Sequence, residues 1–474
     1  MIFLVVVPAG GAFGNMLIPK MIGADEMAFP RLNAFGAWIL FAGGILLWWP
    51  AVTYLLNLTG LPFYGGWFGY TPMSTTLTTV GARTWPISVI VLTFGTTGTA
   101  INFLVTVLNE RDPDMSLLDM PIFIWGAGII TPILTLYGLP WLTAGMGMAY
   151  FETTFDVGFF NPALGGAPVL YQHLFWLFGH PEVYIVIIPV FTAVLTILPR
   201  FSGRPLWGRN VVISALLWIM LASCLVWAHH MFTSGLQGIR LAFMFTTLSI
   251  ALAFSLILFA MAATIWKGRI VLRTPMIFAI GFILMLIISG LDGIMLALPP
   301  YNMIVHDTWF VVGHFHFTLF GGSIMGMFAA IYYWYPLATG RMYNELLGKV
   351  HAATTIVAAP TVFFLMGKLG EHGMIRRYAA YTFAPELQTL HVLTTAFAYL
   401  LGASQVVMAG NLLYSLRYGE EVTNPWDDLL AGQGMPSPEW PGEDYELPHN
   451  PPTPSNVTHP GPTEESSSEA GGDD

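Results

Sequence analysis

The chain has 474 residues, of which 55% are hydrophobic and 9% charged, with a formal net charge of −10. A soluble globular chain carries about 25% charged residues, so a soluble enzyme is excluded, and no basic surface is left over for nucleic acid. The acidity belongs to one end: residues 419–474 hold 13 acidic and no basic residues, while the remainder holds 14 acidic against 17 basic.

A helix crosses a bilayer with about 20 apolar residues. Eleven such segments follow one another at 1–19, 34–57, 84–108, 118–147, 166–199, 210–230, 240–266, 272–298, 306–336, 347–367 and 388–414. They predict an all-α polytopic membrane protein in the lipid bilayer, with one transmembrane domain over 1–418. The tail at 419–474 is rich in Pro, Ser, Gly and acid; it cannot bury a core and is expected to be disordered. With loops on alternating sides, 12 basic residues, from Lys20 and Arg31 to Lys349 and Arg417, fall on one side and five (Arg83, Arg240, Lys368, Arg376, Arg377) on the other. The positive-inside rule puts the first set and the tail in the cytoplasm.

The fifth segment carries FGHPEVY. His180 and Tyr184 are four residues apart and share a helix face; Pro181 removes a backbone hydrogen bond between them. Glu182 lies about 200° around the axis from His180. A lone carboxyl in hydrocarbon suits a proton carrier, the bland alternative being a hydrogen bond to a neighbouring helix. The sixth segment closes on WAHHMF. His229 and His230 reach one metal only if the backbone turns there, and otherwise form an interfacial pair in water. With His180 they make three neutral nitrogens, a set that suits copper. The single cysteine, Cys224, leaves nitrogen and oxygen to hold any metal.

The ninth segment opens on His306 and Asp307 and continues through VGHFHF. His314 and His316, about 200° apart on a helix, serve two cofactors on opposite flanks better than one metal. Two core histidines bonded to carbonyls are the competing reading. Arg376 and Arg377 in GMIRRY precede the last segment on the charge-poor side. Arginine forks bind carboxylates in two-point fashion, and His306 with Asp307 suits a propionate or a hard cation, or Asp307 a plain helix cap.

At MIGADEMAFPRLN, TAINFLVTVLN, YQHLFWLFGHPEVYIVIIP, WAHHMFT, VHDTWFVVGHFHF and GMIRRY the chain resembles the heme–copper oxidases, specifically subunit I of cytochrome c oxidase. The resemblance runs from Met1 to about Arg417. It implies a twelve-helix bundle and a respiratory terminal oxidase that reduces O2 to water, coupled to proton translocation. It implies one copper on His180, His229 and His230, with Tyr184 cross-linked to His180 and supplying an electron and a proton. Two hemes, of which a-type is expected, would be held by His314 (high-spin) and His316 (low-spin). Propionates would meet Arg376 and Arg377, with His306 and Asp307 in the propionate and magnesium region. Glu182 would be the branch-point carboxyl of a proton channel, Asn15 and Asn33 its asparagines and Glu26 its entrance carboxyl. Implied partners are subunit II, carrying a dicopper centre, subunit III, and cytochrome c or another copper or heme donor. The implied location is a prokaryotic cell membrane.

Three departures bear on these expectations. The family's first helix and the start of its second, with the other low-spin ligand, would precede Met1, which implies a truncated start. Glu26 stands where the family has an aspartate. No lysine occurs between His230 and Lys267, where the family's second proton channel uses one. Three alternatives stay open: a quinol oxidase, whose distinguishing residues would also precede Met1; a nitric oxide reductase, against which Tyr184 argues; and a truncated heme-binding relic without turnover.

Overall fold

The computed structural model describes residues 7–77, 79–378, 380–423, 425, 426, 429 and 439. Eleven principal helices run in chain order through them: α1 (Val7–Ile22), α2 (Pro30–Leu55), α3 (Val80–Asn109), α4 (Ile124–Phe155), α5 (Pro168–Ser202), α6 (Arg209–Ser223), α7 (Arg240–Ile265), α8 (Thr274–Ala297), α9 (Trp309–Thr339), α10 (Glu345–Glu371) and α11 (Gln388–Tyr418). Among the described residues nine helices are long and apolar enough to cross a bilayer. The other two, α1 and α6, have 16 and 15 residues. The polytopic all-α fold expected from the sequence is therefore present, with its first and sixth segments shorter than expected. Residues 1–6 of the first segment lie outside the described residues, as does nearly all of the tail.

Local chemistry sets the ends of these helices. Pro30 and Pro168 open α2 and α5 at positions where the missing N–H is not needed. Thr79 caps α3 by accepting from the Ala82 amide at 3.1 Å, and Asn344 caps α10 by accepting from Leu347 at 3.0 Å. Gly203 and Gly340 end α5 and α9 in the left-handed region, at φ +62° and +68°.

The helix α5 is the axis of the bundle: 78% of its most apolar stretch is buried against the rest of the chain, against 11% for α11. Apolar side chains that face outward are large, among them Trp38 and Phe41 on α2, Phe245 on α7 and Tyr399 on α11. That inversion is what a hydrocarbon surround demands, since every backbone polar group is satisfied within the helices and the side chains meet lipid. Helices α9 and α10 approach closely at Gly313, where a Cβ would stand 2.7 Å from the Phe363 carbonyl oxygen. Two helices carry π-helical turns, Ile124–Ile130 in α4 and Phe317–Ile324 in α9. Such turns widen the ladder and recur at functional sites; both flank α5.

Candidate functional site

The expected sixth segment does not continue as one helix to His230. It ends at Ser223, and Trp227–Met231 forms a 3-10 turn. Two ties from α5 hold the stretch around that turn: Trp227 donates Nε1–H to His173 Nδ1 at 3.1 Å, and Ser234 donates its hydroxyl to Gln172 at 2.5 Å. The tighter pitch lets two consecutive residues, His229 and His230, face α5 together.

There they meet His180. One nitrogen from each of the three rings lies within 4.8 Å of the others. His180 Nδ1 is 3.2 Å from His230 Nε2, and its own Nε2 is buried without a protein partner among the described residues. The His229 ring centroid is 4.4 Å from those of both His180 and His230. Thr247 of α7 fixes the ring of His229, with its Oγ1 2.8 Å from Nδ1. Trp176 lies flat on His230, centroids 3.8 Å apart at 6°; such stacks contribute about 0.5–1.5 kcal/mol beyond burial. The Tyr184 ring is 5.1 Å from that of His180. Trp176 and Thr247 were not singled out in the sequence. Trp176 had a signal, since 176, 180 and 184 repeat at four residues along one helix face; Thr247 had none.

On α9 the two histidines diverge. Gly293 of α8 faces His314, and a Cβ there would stand 3.3 Å from His314 Cε1. His314 Nδ1 is buried with no partner among the described residues. His316 turns to α10, its ring 5.3 Å from that of Phe363, and its Nδ1 is 2.8 Å from the Val312 carbonyl oxygen. That contact gives Nδ1 the proton and leaves Nε2 as the free donor atom.

One loop layer covers this end of the bundle. Arg376 donates Nε–H to Asp307 Oδ1 at 2.9 Å and a second bond through Nη2 to the same oxygen. The backbones pair as well, Arg376 N to Asp307 O at 3.0 Å and Trp309 N to Met374 O at 2.9 Å. Asp307 and Arg377 take left-handed conformations, φ +57° and +70°, which cost non-glycine residues on the order of 1–3 kcal/mol and persist only where the surroundings hold them. Asp307 is no plain helix cap; Thr308 caps α9 instead, accepting from Phe310. His306 Nδ1 is 3.1 Å from Asn302 Oδ1, and its Nε2 is 3.8 Å from Asp307 Oδ2.

Burial alone would push the Asp307 carboxyl up, but Arg376, His306 and Arg377 outweigh it and hold it below the usual range. Burial, reinforced by Arg376, brings Arg377 down to about 10. The Arg377 guanidinium lies 3.3 Å over the Phe68 ring. Nearby, burial pushes Tyr70 up to about 12 although it accepts Trp176 Nε1–H at 2.5 Å. The series Arg377, Phe68, Tyr70, Trp176, His230 thus links the arginine layer to the imidazole cluster.

The expected proton-channel residues are only partly gathered. Asn15 and Asn33 line one cavity of about 540 Å³, with Thr99, Thr135 and Ser323 among its other polar walls. Ile185 and Val186 close its α5 side, three and four residues beyond Glu182. Glu182 is buried at 6% exposure, its Oε1 unpartnered among the described residues, and is not itself on the cavity wall. No neighbouring helix supplies the hydrogen bond that a purely structural role would give that oxygen. Glu26 is exposed in the α1–α2 loop, away from the lining.

Residues 1–400 match the family model described as Cytochrome C and Quinol oxidase polypeptide I. Cytochrome c oxidase subunit 1 of Synechocystis sp. is 42% identical over 440 residues, covering 92% of this chain and 78% of that protein. Cytochrome c oxidase polypeptide 1 of Halobacterium salinarum is 40% identical over 436 residues, covering 90% of this chain and 71% of the other. A cryo-EM structure of a heme-copper terminal oxidase dimer superposes with a TM-score of 0.75 at 18% identity, covering 88% of this chain and 75% of that one. At that identity the likeness speaks for the fold.

Proposed function

The chain belongs to the cytochrome c and quinol oxidase polypeptide I family, and from that premise we propose how its residues divide the work of a terminal oxidase. It is the catalytic, multi-pass membrane subunit of a heme–copper oxidase, an oxidoreductase whose family cofactors are heme and copper. The carrying observation is the cluster of His180, His229 and His230. Three neutral nitrogens within 4.8 Å, one of them buried without a protein partner, fit one copper ion. His314 would hold the high-spin heme iron and His316 the low-spin one. The free Nε2 of His316 and the unpartnered Nδ1 of His314 support those roles. When bound, the heme and copper supply the electrons and the site at which O2 is reduced.

The remaining steps belong to side chains. Thr247 and Trp176 fix the two adjacent imidazoles before any metal arrives, so little reorganisation is left for binding. Tyr184, beside His180, is placed to give a proton and an electron and to be joined to that ring. Glu182 takes up protons arriving through the cavity lined by Asn15 and Asn33 and passes them toward His180, and Glu26 collects them at the surface. Arg376 and Arg377 meet the heme propionates. The Arg376–Asp307 clamp holds that layer, and His306 with Asp307 offers a magnesium position. The hemes are of a-type, the donor is cytochrome c or a similar carrier, and subunits II and III complete the complex. Subunit II carries the dicopper centre, since this chain has one cysteine. The location is a prokaryotic cell membrane with the C-terminal tail in the cytoplasm.

The test is O2 uptake and proton release by the assembled oxidase in vesicles, supplied in turn with reduced cytochrome c and with a quinol. Turnover with cytochrome c and protons appearing outside are expected. Turnover with quinol alone would reassign the donor, and O2 uptake without proton release would remove the pumping role. Glu182→Gln should slow turnover while hemes and copper stay bound; unchanged proton uptake in that variant contradicts the carrier role.

A further inference from the structure

The helix α5 ends in a buried cation that the oxidase chemistry does not use. Arg200, in the last turn before Gly203, is 4% exposed, and its Nε and Nη2 have no hydrogen-bond partner among the described residues. The helix C-terminus favours a positive charge there, but it does not satisfy the guanidinium N–H groups. A buried cation left unpaired is strongly unfavourable, so a carboxylate is called for.

The next residue shows where it comes from. Phe201 is fully buried and packs edge-on against Trp426, centroids 5.3 Å apart. Trp426, itself 1% exposed, stacks on Tyr333 at 5.7 Å and 4° and donates Nε1–H to the Tyr333 carbonyl at 3.1 Å. Arg200 is close enough to the Tyr333 phenol for their charges to interact, so Arg200 and Trp426 converge on one side chain. Directly after Trp426 the chain reads Asp427–Asp428.

The described residues on either side of this point are also seated. Met342 N donates to Glu420 O at 2.8 Å and Val422 N to Gly340 O at 2.9 Å, and Arg341 pairs with Glu421 at 2.7 Å. Farther on, Glu439 is 7% exposed; its carboxylate accepts from the Ile122 amide and lies 3.7 Å from Arg209 Nε, and its carbonyl accepts from Leu206 N at 3.4 Å. The face between these anchors carries Arg200, Arg204, Arg209, Arg269 and Arg273, and the segment laid across it belongs to the acidic tail.

We propose that residues 419–439 form an intramolecular strap across the basic end of the bundle, and that Asp427 or Asp428 supplies the carboxylate that pairs with Arg200. A guanidinium fork takes a carboxylate through two N–H groups, which matches the two unpartnered nitrogens. The strap joins the α9–α10 turn, the end of α5 and the α3–α4 loop, fixing the end of the helix that carries His180, Glu182 and Tyr184.

The test is chymotrypsin digestion of the full-length assembled protein in detergent, following cleavage after Trp426. That bond is protected while the strap is seated, and its cutting rate follows the open population. Asp427→Asn/Asp428→Asn should raise the rate by about tenfold or more, and Arg200→Gln by a similar factor. The triple variant should be no faster than either, because both changes remove one pairing. An unchanged rate in the Asp427→Asn/Asp428→Asn variant overturns the proposal, and so does a triple variant whose rate multiplies the two effects. Protection of that variant restored by phosphatidylglycerol vesicles would make a lipid phosphate the occupant, and would equally overturn it. The aspartates lie outside the helical bundle, so their variant remains decisive if Arg200→Gln fails to assemble; unchanged heme absorption confirms an intact body.

Discussion

Around α5 three imidazoles converge, whereas on α9 two diverge, and the backbone accounts for both. Two ligands on opposite flanks need only a regular helix, because residues two apart point about 200° from each other. Two adjacent ligands aimed at one point need a break. Here the break is the 3-10 turn Trp227–Met231, held against α5 through His173 and Gln172. The converging site is accordingly braced from outside by Thr247 and Trp176. The diverging one relies on its own helix: His316 is fixed by Val312, four residues back, and His314 has only Gly293 opposite it. A site assembled from three pieces of chain depends on neighbours that a single helix can do without.

That contrast can be broken most forcefully on α9. His316→Ala should remove one heme of two while copper stays, read from heme content and the low-spin absorption band; loss of copper as well would mean the two regions are not separately built. A smaller effect is expected at the brace. Thr247→Val deletes the contact to His229 Nδ1 and should weaken copper binding by about 10–100-fold with heme content unchanged; unaltered affinity would show that the turn positions His229 unaided. Smaller again, Gly293→Ala would bring a methyl group 3.3 Å from His314 Cε1. The ring must give by a few tenths of an ångström, so the high-spin spectrum should shift with copper content and the low-spin band unmoved.

The smallest effect belongs to the covering loops. The Asp307 carboxyl is held below its ordinary value, so the clamp's contribution is fully present above the unfolded pKa of about 4 and fades as pH falls through the lower folded value. Because Asp307 is half exposed, the change should be on the order of 1 kcal/mol or less. Amide exchange at Trp309 and Arg376 should quicken below about pH 4, and the acid dependence should vanish in Asp307→Asn. Exchange indifferent to pH in the unmutated chain would contradict the clamp.

Much of the fold was legible because a bilayer leaves only one solution for apolar runs of this length. The long helices lie where the runs are, with ends shifted by a few residues at Pro30 and Gly340, where capping rather than hydropathy decides. The end of α6 was not legible: WAHHMF is as apolar as what precedes it, and nothing local announces a change from α to 3-10 pitch. The π-helical turns were invisible for the same reason, being imposed by packing against α5. Of the site, His314 and His316 could be placed from helical geometry alone, and Trp176 could have been, from its spacing to His180 and Tyr184. Thr247 and Tyr70 reach the site from distant segments, so only the folded chain could bring them in.

The most direct measurement is copper and heme content per chain in the assembled protein and in His230→Ala. One copper and two hemes are expected in the first, and two hemes with no copper in the second. Copper retained after that substitution, with normal O2 uptake, would contradict the three-imidazole site.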